Sequence, residues 1–321
     1  MSRLSTATST SLIALFVLAS TAQAEVLSIE GVAPANSSEF VDIHSIAIED
    51  FGGSDGRALA FELEERLSAI SILDQLYFTV IGGRSAVRPD ASLSGNATAA
   101  VEEYETVAKR RRCVERGEKN KCVTYRHIEV DCLTRTIDYR ARVRATRYRD
   151  GRSIYTESFP SQYEQTICFG DDEDFRSSES VIRDMLAETA GGVRHDLAPR
   201  EYRQDVRILE SRKGMSKADG PYFKAAIRMT KSNPEEACRM WDEAARNGLD
   251  HISLSFNRGL CAEQRQDFNS ALALYEEADS LSPGKSEVGE AMRRVHDHQR
   301  ALADWELRQS AAENGNGEEQ G

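Results

Sequence analysis

What this 321-residue chain lacks narrows its chemistry first. Beyond residue 24 no apolar run approaches the roughly 20 residues that a membrane-spanning helix needs, so no transmembrane segment is expected in the mature chain. No Cys follows the N-terminal apolar stretch, which argues against a lipid-anchored start. Phe51-Gly52-Gly53-Ser54-Asp55-Gly56 falls between an expected strand and an expected helix, where phosphate could be cradled. It lacks the Gly-Lys-Ser/Thr ending of a phosphate loop and the spacing of a dinucleotide fingerprint, and Asp55 would repel an anion. His44, His127, His195 and His251 are scattered, with no His-Glu-x-x-His. His296 and His298 share a helix, but residues two apart point in different directions and cannot chelate one ion well. No Gly-x-Ser-x-Gly elbow occurs. These absences remove the nucleotide, zinc and serine-hydrolase classes and lead to the expectation of a non-enzymatic protein with no cofactor and no metal. A carboxylate pair of the glycosidase kind leaves no short motif, so the competing expectation is a cell-envelope hydrolase.

Hydrophobic residues make up 40% of the chain and charged residues 29%, which suits a globular fold. Arg3, the apolar stretch Ser11 to Ser20, and Ala22-Gln23-Ala24 have the layout of a secretory signal cut before Glu25. The expected location is therefore the periplasm. Six cysteines in an exported chain suggest three disulfides, which leave no thiolate nucleophile. Cys113 and Cys122 flank a polar turn. Cys238 and Cys261 lie at equal distances from a turn near Leu249, in two successive antiparallel helices. Cys132 and Cys168 remain.

Alternation predicts strands over 41–48 and 76–81, with a helix over 57–70 between them. A third strand starts near Ala91 and runs towards Ala108. Strands 104–112 and 123–131 flank the Cys113/Cys122 turn; if those cysteines face each other, Val107 lies opposite Ile128. From Leu133 to Ala145 one side carries Leu133, Ile137, Tyr139, Ala141, Val143 and Ala145, and the other carries Thr134, Asp138, Arg140, Arg142 and Arg144. Asp150-Gly151 signals a two-residue hairpin turn. With one bulge residue near that turn, paired residues have numbers summing to 300. Ala141 then meets Phe159, Ile137 meets Tyr163, and Cys132 meets Cys168. A helix follows from Ser177 to about Asp196, then a polar connector.

Charge is unevenly spread. From Lys109 to Arg152 there are fifteen Lys or Arg against six Asp or Glu, a local +9 in a chain of net charge -12. Such asymmetry steers anionic partners. Nucleic acid is not expected outside the cytoplasm, which leaves an acidic protein surface or an anionic envelope component, with Arg140, Arg142 and Arg144 as the candidate contacts. The plainer expectation is a solvated sheet face whose arginines pair with the acidic repeat domain of the same chain.

Phe256, Asn257, Gly259, Asp267, Phe268, Ala271, Tyr275, Ala278 and Pro283 resemble one tetratricopeptide repeat. Shifting by 34 residues maps Ala271, Tyr275 and Ala278 onto Ala237, Trp241 and Ala244. This resemblance implies two repeats, a final covering helix reaching Trp305, and a groove that holds a protein or peptide segment through Asn257, Arg258 and Lys224. Ser45 to Phe51, the helix 57–70 and Phe78 to Ile81 resemble the α/β domain of curli-secretion lipoproteins and of outer-membrane activators of penicillin-binding proteins. That resemblance implies binding or assembly at the envelope. The expected fold is α+β: a mixed sheet with long antiparallel strands and flanking helices, then an all-α tetratricopeptide-type helical hairpin domain. The expected boundaries are a signal peptide over 1–24, a disulfide-bearing α+β domain over 25–200, a connector over 201–219, repeats plus covering helix over 220–310, and a disordered tail over 311–321.

Overall fold

In the computed structural model, residues 25–82 and 88–318 are described, with side chains through 311. The expected signal segment lies outside them. Nine strands and seven α-helices follow in chain order: β1 (Val26–Ala33), β2 (Ser45–Gly52), α1 (Gly56–Ser68), β3 (Ser71–Ile72), β4 (Gln75–Leu76), β5 (Thr79–Ile81), β6 (Ala91–Arg116), β7 (Cys122–Arg147), β8 (Ser153–Cys168), α2 (Ser178–Leu197), β9 (Arg200–Arg207), α3 (Asp219–Met229), α4 (Pro234–Arg246), α5 (Ile252–Gln264), α6 (Phe268–Leu281) and α7 (Ser286–Glu318). The chain divides into two compact units. One holds residues up to Ile29 with Gln204–Gly289; the other holds Glu30–Arg203 with the chain from Glu290 onward.

The strand-rich unit is built on a five-stranded sheet in the order β5-β2-β6-β7-β8. β2 runs parallel to β5 and β6, while β6, β7 and β8 form an antiparallel meander. Alternation decides which face is covered. Leu93, Ala97, Ile137, Tyr139, Ala141, Val143 and Ala145 turn to one side and are buried with Leu59, Leu63 and Leu67 of α1 and Val181, Met185, Ala190 and Val193 of α2. Both helices lie on that face; on the other, which antiparallel sheets can leave to solvent, Asn96, Arg140, Arg142 and Arg144 are exposed while the small side chains Ser92, Thr134 and Thr136 are covered. Gly53 makes the turn out of β2 at φ +88, where a Cβ would collide with the Ala97 carbonyl. α7 joins the same core: Ala301 is buried, and the Trp305 ring stacks on Tyr77 at 6.2 Å.

The β7/β8 register pairs Cys132 with Cys168, Ile137 with Tyr163 and Ala141 with Phe159, with the bulge at Ala145/Thr146. These are the pairs the summing rule predicts. Two strand expectations need correction. The β7/β8 turn is wider than two residues: Arg147 N–H bonds to the Arg152 carbonyl, and Gly151 N–H returns to the Arg147 carbonyl. The β6/β7 register is three residues off the expected one. Val107 meets Asp131 and Ile128 meets Arg110, because Cys113 lies opposite Tyr125 and Arg116 opposite Cys122. Shifts at Cys113/Glu115 and Glu115/Arg116 set the two cysteines diagonally, yet their Cα atoms are 5.7 Å apart and bridged. Cys132–Cys168 and Cys238–Cys261 complete three disulfides. Such bonds belong to chains that fold in an oxidising compartment.

The other unit is mainly helical, with α4 and α5 bridged by Cys238–Cys261. Gly259 lies against the Tyr275 ring, leaving no space for a Cβ, and Tyr275 Oη donates to Glu263 at 2.7 Å. The fold expectation is overturned here. Helices are interspersed with strands rather than gathered behind them. The C-terminal region is not a tetratricopeptide-type hairpin domain: it shares its unit with the start of β1 and the end of β9, and α7 passes on into the strand-rich unit. The small residues that suggested repeats report only close helix approach, which any antiparallel helix pair requires. α7 also continues to Glu318, past the point at which order was expected to end.

Candidate functional site

Six residues were candidates for partner contact, and the structure separates them. Asn257 is fully buried. Its amide donates to the Leu209 carbonyl at 3.0 Å and its side-chain oxygen accepts from the Leu209 N–H at 2.8 Å. The expectation that Asn257 holds a ligand backbone is therefore corrected: the backbone it holds belongs to its own chain. Arg258 is taken up by Asp242, with Nε to Oδ1 at 2.9 Å. Lys224 is exposed on α3. These three do not form a groove.

Arg140, Arg142 and Arg144 stay together. β7 sends alternate side chains to opposite faces, so residues two apart share one face at about 7 Å spacing. All three are exposed on the open side of the sheet, while Tyr139, Ala141, Val143 and Ala145 between and beside them are buried. The burial of the odd positions fixes β7, and with it the base of each arginine. Their cross-strand neighbours are uncharged and not bulky: Thr98, Asn96 and Ser94 on β6, and Pro160, Ser158 and Thr156 on β8. Ser94, Gly95, Asn96, Arg142, Arg144, Ser153 and Thr156 line an open depression of about 370 Å³. On the covered side of β6, a Cβ at Gly95 would strike the Arg142 carbonyl and the Phe51 ring.

Six cations of the basic segment are taken up by acids. Arg135 pairs with Glu103 at 2.6 Å, Arg147 with Asp150 at 2.8 Å, Arg149 with Asp42 at 2.9 Å and Arg152 with Glu39 at 3.4 Å. Arg110 and Arg112 share Asp171, and Arg111 lies over the Tyr125 ring at 3.8 Å. The Arg147 guanidinium holds the Asp150 carboxyl below the usual carboxylate range through their hydrogen bonds. Arg140, Arg142 and Arg144 have no ion pair among the described residues; Arg144 Nε donates to Ser153 Oγ at 3.2 Å. The expectation that the acidic repeat region would take up these arginines is corrected: the acids that pair, Glu39, Asp42, Glu103, Asp150 and Asp171, all belong to the strand-rich unit. Lys109, Arg111, Arg116, Lys119, Lys121 and Arg126 also lack ion pairs among the described residues, but they sit on the two-stranded extension of β6 and β7 and its turn rather than over the packed core.

The arrangement suits recognition of spaced negative charge. The signal for it was present in the sequence as the Arg-x-Arg-x-Arg alternation. What the sequence could not supply was which arginines find partners, because Glu39, Asp42, Glu103 and Asp171 are distant in the chain. Among the described residues no cluster of His, Cys, Asp and Glu is placed to hold a metal ion. No helix among them is long and apolar enough to cross a membrane.

No family model matches the chain, and no curated protein does. Among solved structures, a neuraminyllactose-binding hemagglutinin homolog from Helicobacter pylori is 10% identical, with 50% of this chain and 83% of that one covered at a TM-score of 0.29. A PelC dodecamer from Paraburkholderia phytofirmans is 14% identical, with 52% and 98% covered at 0.23. At these scores neither similarity bears on fold or function.

Proposed function

We propose that this is an exported, non-enzymatic interaction protein of the periplasm that binds an acidic protein segment across the open face of its sheet. Arg140, Arg142 and Arg144 make the contact. The observation that carries this reading is their common exposure and lack of ion pairs on a strand whose other face is buried. Cations held there lose little freedom at their base on binding, and their charge is not already spent on neighbours. An extended acidic segment laid along β7 would meet a positive group at every second residue, because its own repeat matches that of the strand. Three disulfides and the signal-like N-terminus support export. The contact is electrostatic and partly solvated, so it weakens as salt rises.

Fluorescence anisotropy with labelled poly-L-glutamate tests this. The chain from Glu25 should bind the probe, and R140S/R142S/R144S should bind it at least about tenfold more weakly (~1.4 kcal/mol) with an unchanged melting temperature. Equal affinity of the two proteins would remove the row from the account.

A further inference from the structure

β6 leaves its neighbour early. β2 pairs with it only as far as Asn96, and among the described residues no strand lies on that side from there to Arg116. Beyond the turn after β2, Asp55 N–H bonds to the Ala97 carbonyl, and the Asp55 carboxylate accepts from the Ala99 N–H. Those groups point away from β7. The β6/β7 register is unbroken from Ala91 to Cys113, so the N–H and C=O groups of residues 101, 103, 105, 107, 109 and 111 point the same way. This edge contains no Pro and, up to Cys113, no bulge, two of the devices that usually discourage strand addition. It also exposes apolar side chains: Val101 at 44%, Tyr104 at 45% and Val107 at 63%.

The sequence of this edge, Glu102-Glu103-Tyr104-Glu105-Thr106-Val107-Ala108-Lys109-Arg110-Arg111-Arg112, is complementary to itself in reverse. We infer that two copies of the chain join β6 to β6, antiparallel, about a two-fold axis at Val107. Pairing about one residue joins positions whose numbers sum to 214. Val107 then lies beside the partner's Val107, both outward-pointing, so the two exchange N–H···O=C bonds. Glu105 meets the partner's Lys109, Glu103 the partner's Arg111, and Glu102 the partner's Arg112. Tyr104 meets the partner's Arg110. Even residues face even residues, so the open and covered faces of the two sheets continue into each other. Glu105 and Lys109 carry the specificity, since neither has an ion pair among the described residues. Glu103 already pairs with Arg135, and Arg110 and Arg112 with Asp171. Those three would share or exchange partners. The occupant is a second copy because opposite charges fall opposite one another on both sides of the axis, an isologous arrangement. This inference is independent of what binds Arg140, Arg142 and Arg144.

Sedimentation velocity on the full chain tests it, at protein concentrations up to roughly 100 μM, a range that reaches weak interfaces. The wild-type chain should sediment as a dimer at the upper end. Glu105→Lys and Lys109→Glu each place like charges opposite one another twice, and each should raise the dissociation constant at least about tenfold. The double swap E105K/K109E restores opposite charges and should return dimerisation to the wild-type level. A mixture of the two single variants should form a heterodimer. All positions are exposed, and equal melting temperatures separate a lost interface from a lost fold. A wild-type chain that stays monomeric throughout overturns the inference. So does a single variant that dimerises as well as wild type, or a double swap that stays as weak as the singles.

Discussion

Replacing Arg308 by alanine should weaken the strand-rich unit more than any other surface-to-core change in α7. The side chain is 4% exposed. Its guanidinium donates to the carbonyls of Ile43 at 2.6 Å, Val41 at 3.2 Å, Phe40 at 3.3 Å and also Tyr77, and lies 3.9 Å from the Tyr77 ring centroid. The Phe40 carbonyl keeps a second donor, the Ile43 N–H at 3.2 Å. In the alanine variant the Val41, Ile43 and Tyr77 carbonyls lose the guanidinium as donor. Each uncompensated acceptor costs about 1–3 kcal/mol when no water reaches it. Partial hydration brings the expected total to about 3–5 kcal/mol, the usual cost of removing one side of a buried charged network. Lysine keeps the charge without the planar fork, so Arg308→Lys should cost about half as much. Urea unfolding followed by fluorescence reads this directly in a Trp241→Phe background, where Trp305, packed on Tyr77, is the remaining tryptophan. A change below about 0.5 kcal/mol, the range of ordinary surface substitutions, would refute the docking of α7 through Arg308.

Three further outcomes follow. Asn257→Ala should cost about 2–3 kcal/mol in chemical unfolding, because both Leu209 backbone groups lose their partner; a ligand-contact residue would leave stability unchanged. The Cys132→Ala/Cys168→Ala variant should lose about 2–4 kcal/mol on the chain-entropy account, given the 36-residue separation of the pair. In the parent, non-reducing peptide mapping should link Cys132 to Cys168. Burial and the nearby Arg308 charge lower the His44 pKa below its ordinary 6.5. The unfolded chain then binds the proton more readily, so the His44 contribution is intact above pH 6.5 and is lost as pH falls from there towards the folded value. A His44→Gln variant should flatten the stability profile across that window, and NMR titration should place the His44 midpoint below 6.5.

Where local pattern and burial agree, the fold is legible in the sequence. The β7/β8 register follows from one buried face and a cysteine at each end, and both constraints select the same pairs. The outer part of β6 and β7 offers no such guide. Both its faces are exposed, so alternation carries no information, and the cysteines bridge diagonally across residues 119 and 120, both at positive φ. The strand β9 reads as a connector because five of its eight residues are charged. The repeat-like spacing in α5 and α6 is real as helix packing and silent about what lies beside Asn257. Leu209 is 48 residues away and fills that position from the chain itself. The arginine row shows the same limit from the other side. Its alternation is local, but its lack of partners is decided by acids far along the chain.

An acidic segment bound across Arg140, Arg142 and Arg144 is distinguishable from one bound on the basic extension or on the helical unit. A photo-crosslinking residue placed in turn at Thr156, Lys119 and Lys224, with labelled poly-L-glutamate as the probe, locates the contact. A crosslink should form from position 156, fade with salt and disappear in R140S/R142S/R144S. Crosslinks from position 119 or 224 with none from 156 would place the acidic segment elsewhere and overturn the proposed function.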